Sequence, residues 1–112
     1  MSNQRSILIL EDEPLIAFMI KHELERHGWH IVGPFSTVDA ARAALQPDLY
    51  ACLFDINLGE ETSFDLAIET IATGLNVIFI SGANRNRLPE ALSHLPVQPK
   101  PIDFNALNTL LD

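Results

Sequence analysis

The stretch Ile7-Leu8-Ile9-Leu10-Glu11-Asp12-Glu13 constrains this chain most. Four apolar residues in a row show no alternation, which is the pattern of a strand buried on both faces. Three carboxylates follow directly, where that strand must end. A buried strand that closes on an acid cluster makes little structural sense unless a cation sits there. The plan then repeats. Residues 50–54 are apolar throughout and close on Asp55, and residues 76–80 close on Ser81-Gly82.

Helical patterns separate these runs. Pro14 suits a first helical turn, where its missing N–H would be unpaired anyway. Ile16, Met19, Ile20 and Leu24 recur at helical spacing after it, and Gly28 marks the stop. Residues 29–33 read as a short strand. Ser36 with Asp39 resembles a capping box, opening a helix with Val38, Ala41, Ala44 and Leu45 on one side. The loop 56–61 follows Asp55. Thr62 or Ser63 caps a third helix, whose expected apolar stripe is Phe64, Ala67, Ile68, Ile71 and Ala72. Residues 89–94 form only a turn or two of helix. Residues 95–98 read as a short strand, and Pro99 places it at a sheet edge, where a missing N–H is tolerated. Asp103 caps a last helix carrying Phe104, Leu107, Leu110 and Leu111.

Strands and helices thus alternate five times, and the strands are apolar on both faces. The expected fold class is α/β: a doubly wound, five-stranded parallel sheet, flavodoxin-like, with strand order 2-1-3-4-5. A nucleotide-binding variant would need a glycine-rich turn after the first strand. The turn here is Glu-Asp-Glu-Pro, which would repel a pyrophosphate. At 112 residues the chain reads as a single domain, 1–112, with 1–5 a flexible lead-in.

Charge and cysteine content narrow the function classes. A net charge of −8 argues against binding nucleic acid through its phosphates. No apolar run reaches the length of a membrane span and no signal peptide opens the chain, so a cytoplasmic protein without membrane contact is expected. The lone Cys52 excludes an internal disulfide and lies in an apolar run, as a small buried hydrophobe would.

In an open α/β sheet, ligands bind beyond the carboxyl ends of the strands, where the strand order reverses. Glu11 and Asp12 end one strand beside that point, and Asp55 ends the other. Unpaired, these carboxylates would repel one another and raise each other's pKa values. A hard divalent cation relieves this, and Mg²⁺ fits because it takes a few carboxylates and keeps several waters. Ser81 and Lys100 end the fourth and fifth strands at the same edge. A point-charge ammonium suits a phosphoryl oxygen. A carboxylate beside a metal can act as a nucleophile and form an acyl phosphate.

With these residues in place, the chain resembles a bacterial response-regulator receiver domain over nearly its whole length. The matching features are Leu10-Glu11-Asp12-Glu13-Pro14, Asp55-Ile56-Asn57-Leu58-Gly59, Ile80-Ser81-Gly82 and Lys100-Pro101. Each is short, but four in order, each at the end of the correct strand, are highly specific. The resemblance implies that Asp55 is the phosphoacceptor. It implies that Asp12 binds Mg²⁺ directly and Glu11 through water, with the backbone carbonyl of Asn57 completing the protein ligands. Ser81 and Lys100 would each contact a phosphoryl oxygen, and Gly82 would leave space beside the phosphate. The donor would be a sensor histidine kinase or a phosphotransfer protein. Phosphorylation would alter the loop after the fourth strand and the face made by the fourth helix, fifth strand and fifth helix, changing affinity for a downstream protein partner. Such a domain catalyses only its own phosphorylation and dephosphorylation. A stand-alone receiver is the expectation, and a cis Lys100–Pro101 bond is part of the resemblance.

Two departures from the family pattern stand out. Val97 occupies the position where the family usually has a switch aromatic. The short interval from Ser81 to Lys100 implies a truncated fourth helix. With Phe79-Ile80-Ser81-Gly82, Leu88-Pro89-Glu90 and Pro96-Val97, the chain is similar to a receiver subgroup found largely in alphaproteobacteria and often linked to histidine kinases of the HWE type. The segment 83–89 has few apolar anchors and is expected to be mobile until phosphorylation orders it. Two other readings compete. A Mg²⁺-dependent phosphohydrolase would use Asp55 as nucleophile, but it would need a second acid near that residue, where Asn57 stands, and a substrate cap. A pseudo-receiver that binds partners without phosphate is disfavoured by the complete acid, hydroxyl and lysine set. Glu13 reads as helix-start charge alone.

Overall fold

Each apolar run becomes a strand of one parallel sheet. The computed structural model describes residues 5–82 and 88–112. The main strands are β1 (Ser6–Leu10), β2 (His30–Phe35), β3 (Ala51–Asp55), β6 (Val77–Ser81) and β7 (Val97–Pro99). They pair in the order β2-β1-β3-β6-β7, all parallel. Counted without two short strands described below, this is the expected order 2-1-3-4-5, and Pro99 does lie in an edge strand. The short strands are β4 (Asn57–Leu58) and β5 (Glu61–Thr62), an antiparallel ribbon within the stretch after Asp55 that was expected to be loop.

Side chains alternate between two cores, as strand geometry requires. Ile7, Ile9, Leu53, Ile78 and Ile80 pack with Ile20 and Leu24 of α1 (Pro14–Arg26) and Leu107 and Leu111 of α4 (Phe104–Leu111). Leu8, Leu10, Cys52, Phe54 and Phe79 pack on the other face. There they meet Val38 and Ala41 of α2 (Val38–Ala43), Leu66 and Ala67 of α3 (Phe64–Ala72), and Leu92 of a 3₁₀ turn (Glu90–Leu92). Burial pushes the Cys52 thiol up to about 12, which keeps it an inert hydrophobe. The 3₁₀ turn stands where a full fourth helix was expected to be truncated. Of the segment 83–89 expected to be mobile, residues 83–87 lie outside the described residues, as do residues 1–4 of the expected lead-in. Arg5, the last residue of that lead-in, is anchored: its carbonyl accepts from the His30 N–H at 2.8 Å, and its guanidinium lies 4.7 Å from the centre of the Tyr50 ring.

Several local expectations need correction. In α1 the buried stripe is Ala17, Ile20 and Leu24, and Met19 is exposed beside Leu15 and Phe18. In α3 the stripe is Leu66, Ala67 and Thr70, whereas Ile68 and Ala72 face solvent. The cap of α2 is Thr37, whose hydroxyl accepts from the Ala40 N–H at 3.2 Å, and not Ser36. Leu110 is exposed while Leu107 and Leu111 carry the inner face of α4. Asp103 caps that helix as expected, accepting from the N–H groups of Asn105 and Ala106 at 3.0 and 3.2 Å.

The second strand runs past its predicted end through Gly33-Pro34-Phe35. The pairing of β1 with β2 slips there, from Leu8 opposite Val32 to Leu10 opposite Phe35. Gly33 adopts φ +102°, and a Cβ on it would lie 2.8 Å from the Phe35 nitrogen and 3.1 Å from the Ile9 carbonyl oxygen. The bulge sets the Phe35 carbonyl to accept from the Glu11 N–H at 2.9 Å, fixing the first residue of the acid cluster. Both Gly33–Pro34 and Lys100–Pro101 are cis; the second was expected and the first was not.

Candidate functional site

The carboxyl ends of four strands deliver the site. β1 ends at Leu10, so Glu11 and Asp12 emerge at the edge. β3 ends with Asp55, β6 with Ser81, and β7 is followed by Lys100. Backbone bonds tie these ends together. The Ile56 N–H donates to the Ile80 carbonyl at 3.0 Å, and the Lys100 N–H donates to the Ser81 carbonyl at 2.7 Å. The sheet therefore sets the spacing of the four chemical groups before any side chain is considered.

Glu11, Asp12 and Asp55 each offer a carboxylate oxygen, and these oxygens all lie within 4.8 Å of one another. Glu11 and Asp55 are buried, at 2% and 4% exposure, while Asp12 faces solvent. Burial raises the Glu11 pKa, and the charge of Asp55 adds to the rise; Lys100 and the Glu13 N–H work against it. Glu11 Oε2 accepts from that N–H at 3.0 Å. Its Oε1 lies 2.8 Å from the Lys100 ammonium, an ion-pair distance without hydrogen-bond alignment. Asp55 Oδ2 accepts from Lys100 Nζ at 3.2 Å, and its Oδ1 accepts a long bond from the Asn57 N–H at 3.4 Å.

Lys100 is the positive centre of this arrangement. Burial works to lower its pKa, but the carboxylates of Glu11 and Asp55 more than offset that and leave it raised, so the ammonium stays charged at any ordinary pH. Ser81 is fully buried, and its hydroxyl donates to the Gly82 carbonyl at 3.4 Å, a long bond that is easily exchanged.

The donor set suits a hard divalent cation. Every side-chain ligand is a carboxylate oxygen, the oxygens already converge, and one acid is held above its ordinary pKa by burial and like charge, which a cation relieves. All the residues singled out from sequence sit at this one edge: Glu11, Asp12 and Asp55 converge, Lys100 binds two of them, Asn57 binds Asp55 through its N–H, and Ser81 joins through the backbone.

Glu13, expected to be helix-start charge alone, is drawn into the cluster as well. Its Oε1 lies 3.3 Å from Lys100 Nζ, making it a third carboxylate on that ammonium. It occupies the N-cap position of α1, yet its side chain makes no capping bond. An acid before a helix reads as helix-start charge, and the only sequence signal for another role was its place directly after two site acids.

No protein-family model matches the chain, and a search of curated proteins returned no match. Solved structures do match. The solution structure of SdrG from Sphingomonas melonis Fr1 is 33% identical, with a TM-score of 0.84 over 99% of this chain and 96% of that one. The signal receiver domain of a modulated diguanylate cyclase from Desulfovibrio desulfuricans G20 is 25% identical, with a TM-score of 0.80 over 96% of this chain and 90% of that one. A third match is the receiver domain of the Saccharomyces cerevisiae response regulator Ssk1, crystallised with the histidine phosphotransfer protein Ypd1. It shares the fold at 14% identity, with a TM-score of 0.79 over 96% of this chain and 86% of that one.

Proposed function

This chain belongs to the response-regulator receiver domains, and we propose that it works as a phosphorelay switch with Asp55 as its phosphoacceptor. The observation that carries the reading is the Lys100 ammonium bound to both Glu11 and Asp55 at the carboxyl edge of the sheet, with Asp12 completing the acid cluster.

In this reading an Asp55 carboxylate oxygen attacks phosphorus on a phosphohistidine donor. The new O–P bond forms as the P–N bond breaks, and the imidazole leaves with the bonding pair. Glu11, Asp12 and Asp55, with the Asn57 backbone carbonyl, would hold Mg²⁺. When bound, that ion supplies positive charge against the crowded anionic oxygens. Lys100 is already at Asp55 Oδ2 and pairs with a phosphoryl oxygen after transfer. The Ser81 hydroxyl exchanges its long bond to the Gly82 carbonyl for a second phosphoryl oxygen. Gly82, with no described residue within 4 Å of the place a Cβ would occupy, leaves that side open among the described residues.

A donor needs a surface beside the site. α1 begins directly after the acid cluster and exposes Leu15, Phe18 and Met19. Ile16, Met19 and Ile20 line a groove of about 190 Å³ with Pro101, Ile102 and Phe104, next to Lys100. An apolar face of this kind at the rim of the site suits a helical phosphotransfer protein or sensor kinase. Among solved relatives, Ssk1 was crystallised with a phosphotransfer protein.

Val97, half-buried and paired with Phe79, stands in the strand that usually carries the switch aromatic. That feature and the short 3₁₀ turn support placement in the subgroup without the aromatic, with HWE-type kinases among the candidate donors. Output then passes through packing around β7 and α4 to a downstream protein. No helix among the described residues is long and apolar enough to cross a membrane.

The test is incubation with Mg²⁺ and a small acyl-phosphate donor, followed by measurement of protein-bound phosphoryl. The wild type gains one phosphoryl group, and Asp55→Asn gains none while keeping its circular dichroism spectrum. Sustained turnover of a phosphomonoester would establish a phosphohydrolase in its place. Failure of the wild type to take phosphate from either small or protein donors would leave a phosphate-independent binding module.

A further inference from the structure

Glu13 has no part in the phosphoacceptor scheme above, yet it is bonded to the group that scheme depends on. Lys100 Nζ lies 2.8 Å from Glu11, 3.2 Å from Asp55 and 3.3 Å from Glu13. The first two carboxylates are buried, whereas the Glu13 side chain is 61% exposed. The ammonium is therefore drawn in two directions: inward to the acids of the site, and outward to Glu13 at its mouth. Glu13 is placed rigidly for this. Its N–H is held by Glu11 Oε2 at 3.0 Å, and its carbonyl accepts the first-turn bond of α1 from the Ala17 N–H at 2.9 Å. The backbone is pinned at both ends, the side chain makes no helix cap, and the carboxylate goes to Lys100.

We propose that Glu13 is a positioning residue for Lys100, drawing an ammonium already seated on Glu11 and Asp55 toward the mouth of the site, so that an anionic group on Asp55 must win it fully from this carboxylate. The inference rests on the phosphoacceptor reading and deepens it: it names a residue that sets how readily the resting site gives way to the phosphorylated one. The effect is modest because the pair is part-exposed. Pairs of this kind change equilibria by about two- to five-fold.

Two measurements decide it. In metal-free protein, the Lys100 side-chain ammonium signal is compared between wild type and Glu13→Gln by nitrogen-resolved NMR. Loss of the outer partner should shift it and speed its proton exchange; an identical signal overturns the proposal. Beryllofluoride is then titrated with Mg²⁺ into wild type, Glu13→Gln, Lys100→Met and the double variant. Glu13→Gln should bind about two- to five-fold tighter than wild type, and this gain should vanish in the Lys100→Met background. An unchanged or weakened affinity overturns the proposal. So does an equal gain in both backgrounds, which would make Glu13 only a source of general negative charge. If wild type ignores beryllofluoride, the phosphoacceptor reading fails, while the ammonium comparison still decides what Glu13 does.

Discussion

Glu11 shows how the candidate site strains a residue within it. Its carboxylate is almost wholly buried, and burial is the main reason its pKa is raised. A carboxyl whose folded pKa lies above its unfolded value binds protons more readily when folded. Its contribution to stability is therefore lost as pH rises from the ordinary carboxylate value through the raised folded one. In chelator, the wild type should lose stability over that window, and Glu11→Gln should lose less and be the more stable protein at neutral pH. Urea unfolding across the pH range measures both. Removing one partner of a buried pair usually strands the other, but Lys100 keeps Asp55 and Glu13. Lys100, whose pKa is raised, holds its contribution until the pH exceeds the ordinary lysine range. At this scale, the convergence of Glu11, Asp12 and Asp55 was legible because the Glu11-Asp12 pair and Asp55 each stand at the end of an unbroken apolar run. Glu13 was not, because an acid before a helix has a sufficient local explanation.

Among the elements, β2 carries the least expected feature. Sequence patterning gave it as 29–33, but the strand continues through a bulge to Phe35. The bulge needs glycine twice over: φ is +102°, and a Cβ would meet the backbone of Phe35 and Ile9. Gly33→Ala should cost about 1–3 kcal/mol from backbone strain alone, read as a lower denaturation midpoint with unchanged slope. Because Phe35 holds the Glu11 N–H, the same variant should bind Mg²⁺ more weakly. The strands themselves were readable, since four-residue apolar runs admit few alternatives. The helix faces were less so. Met19 and Ile68 sit at helical spacing from true core residues and are apolar, so periodicity alone assigned them inward; both are exposed. Ser36 with Asp39 imitates a capping box, and the actual cap is its neighbour Thr37.

Across the whole molecule, topology brings together residues far apart in sequence. Parallel order β2-β1-β3-β6-β7 sets the ends of β1 and β3 side by side at the point where the order reverses, and the acid cluster exists only in the folded chain. A divalent cation held by that cluster should stabilise the fold by mass action. At a hundred times its dissociation constant, this amounts to about 2.7 kcal/mol. The thermal midpoint should therefore rise with millimolar Mg²⁺ and return with chelator, and the rise should be much smaller in Asp55→Asn. A midpoint indifferent to Mg²⁺ would contradict the metal site.

The central claim is that Asp55, among fifteen acidic residues, takes the phosphoryl group. The most direct test is to phosphorylate the wild-type protein from a phosphohistidine donor, trap the acyl phosphate by borohydride reduction, and locate the reduced residue by peptide mass spectrometry. The account predicts one modified position, Asp55, with no trapped product when Mg²⁺ is chelated. A trapped product at any other carboxylate, or a phosphoryl group stable to the trapping chemistry, would contradict it.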